Sequence, residues 1–189
     1  MADIGASLVA RIKNTRTPFN IDFGVGDVIV PRQEKRMIPT QLDDFTAPTV
    51  NTYSLETTIA EKIDAILSLM EFSSRMKDYY DIYYLANKFD FDGKILSKAL
   101  RKTFQNRQHT FNMQQFEQIL TFADDASMQK KWQAFIRKTE TDTADFNTVL
   151  NTINTFLSTP LASALEGIEY PKHWSAAINE WSRQSSADI

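Results

Sequence analysis

Lys62, Arg75, Lys77, Asp78 and Asp81 are charged residues set into two strongly apolar stretches, and that conflict is the clearest chemical signal in this chain. Lys77 and Asp81 are four apart and Asp78 and Asp81 three apart, spacings that put side chains on one narrow wedge of a helix, with Arg75 one turn before Asp78. Burying a carboxylate without a partner is costly. Two readings follow: a salt-bridged scaffold, or a site that holds cations and phosphate. A second candidate lies earlier, where Asp22 stands between Ile21 and Phe23 on a strand pattern, with Gly24, Gly26 and Asp27 just beyond. Such an aspartate points away from its apolar neighbours, and glycines let the backbone approach a ligand or turn sharply. That is the geometry of a metal-binding carboxylate, and equally of a strand-end aspartate at a turn.

The elements that must position these groups are two helices within residues 54–89. In the first, Leu55, Ile59, Ile63, Ile66 and Met70 recur at three- and four-residue steps, with Ser54 as N-cap. At about 100° per residue, Glu56 falls in the middle of that apolar stripe and Lys62 on its edge. The second helix, residues 74–89, is apolar or aromatic nearly all round (Met76, Tyr79, Tyr80, Ile82, Tyr83, Leu85), so its charges occupy what remains.

The first strands are a β-hairpin: residues 8–13, a polar turn at 14–17, then 18–23. A sheet of two strands is marginal in water, which implies a larger sheet. Residues 32–51 carry Pro39 and Pro48 and no period, and read as a long connecting loop. After the break at Phe91-Asp92-Gly93, residues 94–107 form an amphipathic helix whose Lys94, Lys98, Arg101, Lys102 and Arg107 make either a solvated face or one turned toward RNA or triphosphate. Later apolar clusters around Phe116, Trp132 and Phe146 read as the core of a helical bundle. Trp174 and Trp181, seven apart, are placed on a short final helix, with residues 182–189 fraying.

The 189 residues suit one domain or one and a half, and a net charge of −3 offers no global attraction for nucleic acid. The absence of cysteine excludes disulfides and thiolate chemistry, and the two histidines, His109 and His173, are far apart in sequence. No run of about 18 apolar residues spans a membrane and no signal-peptide pattern opens the chain, so it reads as cytoplasmic.

The segment IDFGVGDVIVP, the proline-spaced loop, YSLETTIAEKIDAILSL and SRMKDYYDIYYLANKFDFDG together resemble the AbiEii/AbiGii nucleotidyltransferase toxins, the toxin side of bacterial abortive-infection (phage-defence) toxin–antitoxin systems. The likeness covers about residues 10–107, with the motifs in the family's order. It implies an α+β chain: part of a polymerase-β-like nucleotidyltransferase sheet over residues 1–53, then a mainly helical domain over 54–189 carrying the AEK and RxKDxxD motifs. By that resemblance Asp22 is the strand-borne carboxylate and metal ligand, Lys62 meets the triphosphate, and Asp78 and Asp81 are the motif acids. Gly24, Gly26, Asp27, Glu56, Arg75 and Lys77 are the substrate-contacting positions. The implied reaction moves a nucleotide from a nucleoside triphosphate, with Mg2+, to an RNA or protein acceptor, and the implied partner is a cognate antitoxin.

One departure matters. The family's early Gly-Ser turn and Asp-x-Asp strand are not found before Asp22, where Asp3 is the only acid. The chain is therefore expected to be a member lacking its first part, inactive alone, and prone to self-association through the free edge of its 8–13 strand. The alternative from a different class is a non-catalytic helical module that binds an antitoxin or a partner chain.

Overall fold

Ser54 starts the helical body by serving two segments at once. Its Oγ accepts the Thr57 N–H at 3.2 Å, capping α1 (Leu55–Leu69), and donates to the Val30 carbonyl. Thr57 Oγ1 completes the clasp by accepting the Val30 N–H at 2.9 Å, so the incoming chain is pinned across the first turn of the helix. The computed structural model describes residues 4–23, 26, 28–139 and 144–183, with the side chains of all of these except Ile4, Asp22 and Phe23.

The architecture is α+β: an N-terminal antiparallel hairpin, then a helical region. Strands β1 (Ile4–Ile12) and β2 (Thr15–Phe23) pair from Ile4 opposite Phe23 to Ile12 opposite Thr15. The turn is the two residues Lys13 and Asn14, shorter than the four-residue turn read from the sequence, because Lys13 adopts φ +54° and reverses the chain at once. Register puts Ala6, Leu8, Ala10 and Ile12 on one face with Phe19 and Ile21, while Ser7 donates to Asn20 Oδ1 at 2.9 Å on the other. The apolar face is open to solvent, with Ile12 75% exposed.

Residues 32–51 are not one loop. They contain a second ribbon, β3 (Glu34–Met37) with β4 (Thr49–Thr52), hidden from pattern reading because its side chains are exposed on both faces and show no alternation.

The helical region follows: α2 (Met76–Lys88), α3 (Gly93–Arg107), α4 (Met113–Leu120), α5 (Ala126–Thr139) and α6 (Phe146–Glu166). Ile59, Ile63 and Ile66 of α1 pack on Leu96, Ala99 and Leu100 of α3 in a solvent-free core. The long α6 packs on α2, α3 and α4, and contributes Val149, Ile153, Phe156 and Leu157.

The final helix expected around Trp174 and Trp181 is instead a hairpin. Strand β5 (Phe91–Asp92) pairs with β6 (His173–Ser175), and β6 with β7 (Glu180–Ser182), so Trp174 and Trp181 face each other directly across the strands. Their spacing of seven matches two helical turns, but the turn between them reverses the chain with Asn179 at φ +54°. Both indoles are then anchored on the bundle: Trp174 Nε1 donates to the Ala86 carbonyl at 2.7 Å and Trp181 Nε1 to that of Phe156 at 2.9 Å. Gly93 permits the close fit, because a Cβ there would lie 2.6 Å from the Tyr170 carbonyl oxygen. Among the described residues no helix is long and apolar enough to cross a membrane.

Candidate active site

Helix α2 carries its acids on the side facing α1. Asp78 is almost fully buried and Asp81 mostly so, and Lys62 reaches across from α1 to both: its Nζ lies 2.5 Å from Asp81 Oδ2 and 3.2 Å from Asp78 Oδ1. Asp78 takes a second cation, Arg75, whose Nε donates to Oδ2 at 2.6 Å, and Asp81 takes Lys77 at 2.5 Å. Residues 16 and 19 positions apart are thereby joined in one network of three cations and two carboxylates. Lys77 is 71% exposed and belongs to the rim, while Lys62 is largely enclosed.

The turn that presents Arg75 is itself held. Ser73 Oγ accepts the Arg75 N–H at 3.1 Å, and Lys131 of α5 donates to the carbonyls of Glu71 and Ser73 at 2.7 and 3.0 Å. Behind the acids lies Tyr79, solvent-free and packed edge-on against Phe146. Burial first, and the neighbouring Asp78 charge second, push its hydroxyl well above the ordinary tyrosine range, so it stays neutral.

A second network ties α1 to the end of α3. Arg107, on the last turn of α3, is gripped by Glu61 through Nη2 and by Asp64 through Nη1 at 2.9 Å, and His109 Nδ1 lies 2.9 Å from the other Asp64 oxygen. Asp64 is wholly buried. Burial raises its carboxyl above the usual range, and the contact with His109 works against that rise. Sequence reading missed Asp64 because it drew the apolar stripe from five residues; adding the buried Ala60 and Leu67 widens the stripe and brings Asp64 to its margin. The same network ties His109 to α1, which distance in sequence did not foretell.

Between the networks opens a cleft of about 230 Å3, lined by Tyr53, Thr58, Glu61, Lys62, Ala65, Arg75 and Arg107. The structure thus brings Lys62, Arg75, Lys77, Asp78 and Asp81 together, with Lys62 and Arg75 at the cleft wall beside Arg107. Glu56 is elsewhere: at about 100° per residue it projects from the opposite side of α1 to Glu61, Lys62 and Ala65. Its carboxyl is raised first by burial and also by the nearby charges of Glu34 and Asp92. Of the basic residues on α3, Arg101 donates to the Gly167 carbonyl at 2.7 Å and Lys94 faces Glu169, so only part of that face is free of internal contacts.

Asp22 lies on β2 opposite Gly5, and its side chain, like Gly24 and Asp27, is outside the described residues. Gly26 has φ +86°, a conformation that favours glycine, and its carbonyl accepts from Asn106 Nδ2 at 2.9 Å. The segment after β2 is therefore tied to the end of α3 beside Arg107. Among the described residues no group of three or more histidine or acidic side chains is gathered to hold a metal ion. Asp78 and Asp81 are already engaged by Lys62, Arg75 and Lys77, so the described residues do not make up a magnesium site.

Comparison with protein families finds a match over residues 3–152 to the family described as "Nucleotidyl transferase AbiEii toxin, Type IV TA system". The matched span reaches past the helix motifs into α6. No curated protein and no solved structure matches the chain.

Proposed function

The chain belongs to the AbiEii nucleotidyl transferase toxin family, and on that premise we propose that it transfers a nucleotide from a nucleoside triphosphate to an RNA or protein acceptor and is restrained by an antitoxin. The observation that carries this reading is the placement of Lys62 at the cleft wall, beside Arg75 and Arg107 and braced by Asp78 and Asp81. In the proposed roles the Lys62 ammonium meets the triphosphate as a compact charge, Arg75 and Lys77 steer it, and Asp78 and Asp81 hold these cations in place. Asp22, Gly24, Gly26 and Asp27 would contribute from the strand side, whereas Glu56, which projects from the opposite side of α1, is given no part in the cleft. A divalent ion would neutralise developing phosphate charge; in this proposal its ligand is Asp22, and no step is derived through it.

The test measures transfer of label from each nucleoside triphosphate into total RNA, and into protein, by this chain. Label transfer that disappears in Lys62→Ala supports the reading. Its absence from every combination overturns it.

A second reading is favoured by the hairpin β1–β2, whose Leu8, Ile12, Phe19 and Ile21 form an open apolar face. Under it, residues 1–53 are a docking unit on the helical domain 54–189 and bind the antitoxin, or a second copy through the outer edge of β1. Mass in solution tests this. A monomer at every concentration, together with antitoxin binding unchanged by Leu8→Ser and Phe19→Ser, excludes it.

A further inference from the structure

Lys62 and Arg107 are built into the cleft in the same way, each cation braced by two carboxylates: Lys62 by Asp78 and Asp81, Arg107 by Glu61 and Asp64. We propose that Arg107 is a polyphosphate-binding residue of this cleft and that the buried Asp64 is the residue that positions it. The inference rests on the nucleotidyltransferase reading and adds to it a second fixed cation, supplied by α3 and not by the AEK or RxKDxxD motifs.

Three observations carry it. A wholly buried carboxylate is an expensive way to make an ion pair, and surface bridges do without one. Here Asp64 gives one oxygen to Arg107 Nη1 and the other to His109, both at 2.9 Å, while Glu61 takes Nη2. The guanidinium plane is therefore fixed, and a pre-set planar fork is what phosphate recognition needs. The cleft wall carries Lys62, Arg75 and Arg107 with one acid, Glu61, while the carboxylates of Asp64, Asp78 and Asp81 that brace these cations are not among the lining residues, so the cationic groups line the opening. At about 230 Å3 the cleft is smaller than the roughly 300–1,000 Å3 of pockets that enclose whole drug-sized ligands, which suits a phosphate chain better than a complete nucleotide.

Inorganic tripolyphosphate is the probe, titrated calorimetrically into residues 1–189 at several salt concentrations. Arg107→Met is expected to weaken binding about tenfold and to flatten its salt dependence, since one phosphate contact is lost. Arg107→Lys, which keeps the charge without the fork, should lose less. Asp64→Asn should weaken binding about fivefold although it touches no phosphate. Ile66→Val, buried on the same helix, lowers the melting temperature but leaves affinity unchanged, which separates positioning from general destabilisation. Exposed Lys102→Met is the charge control. The inference is overturned if Arg107→Met binds as Lys102→Met does, if Asp64→Asn binds no worse than Ile66→Val, or if the wild type binds no tripolyphosphate. Running the label-transfer assay on the same proteins keeps the two readings apart. Arg107-dependent binding without any transfer upholds the inference and sinks the catalytic reading, and transfer with tripolyphosphate binding indifferent to Arg107 does the reverse.

Discussion

Lys62 Nζ lies 2.5 Å from Asp81 Oδ2, and the same oxygen also receives Lys77 Nζ at 2.5 Å. One carboxylate oxygen thus separates two ammonium groups, one enclosed at the cleft and one on the rim. Its partner acid, Asp78, is more deeply buried and faces Lys62 and Arg75.

The two aspartates should therefore respond differently to removal of their charge. Asp78→Asn breaks a buried pair and should cost about 3 kcal/mol. Asp81→Asn leaves Lys62 paired with Asp78 and should cost about 1 kcal/mol or less, the range of partly exposed bridges. If the network serves the reaction, Asp81→Asn nonetheless abolishes label transfer. Urea denaturation beside the transfer assay checks both, and equal stability losses would contradict the burial argument.

Lys62→Ala should weaken nucleoside triphosphate binding by about tenfold at low ionic strength. The deficit should shrink as salt rises, because contacts to phosphate are screened over about 10 Å at 0.1 M whereas packing is not. Titration at two salt concentrations decides it; a deficit independent of salt would assign Lys62 to the scaffold.

Glu56 gives a pH signature. Its folded-state carboxyl is raised above the ordinary glutamate value, first by burial and also by Glu34 and Asp92, so the folded state holds that proton more tightly than the unfolded chain does. Stability then falls as pH rises from the ordinary glutamate range through the raised value. Glu56→Gln removes this loss. Its melting temperature should exceed that of the wild type at pH 7, with the difference closing toward pH 4.5. A constant difference across that window would show that the carboxyl does not titrate as described.

Trp174→Phe should cost about 1–3 kcal/mol, because it leaves the buried Ala86 carbonyl without its donor at 2.7 Å. Trp181→Phe, on a half-buried ring, should cost less. Denaturation midpoints compare them, and the reverse order would mean that ring packing with Phe156 outweighs the hydrogen bond.

Elements with a local signal can be read from the order of residues alone. Three- and four-residue steps mark α1 and α2, Ser54 marks the cap, and the spacing of Lys77, Asp78 and Asp81 puts them on one wedge, because a helix converts sequence distance directly into direction. The family and its α+β class were legible for the same reason, since the motifs are short and contiguous. The remaining features depend on contacts between elements. Nothing in the local pattern of α1 announces that Lys62 would bridge both acids of α2, or that Asp64, one step past an isoleucine, would be buried against Arg107 and His109. The Trp174–Trp181 pair shows the limit most clearly: a spacing of seven fits a helix face, but it also fits a three-residue strand, a four-residue turn and a return. The choice between them was made by two indole N–H groups finding the Ala86 and Phe156 carbonyls on distant helices.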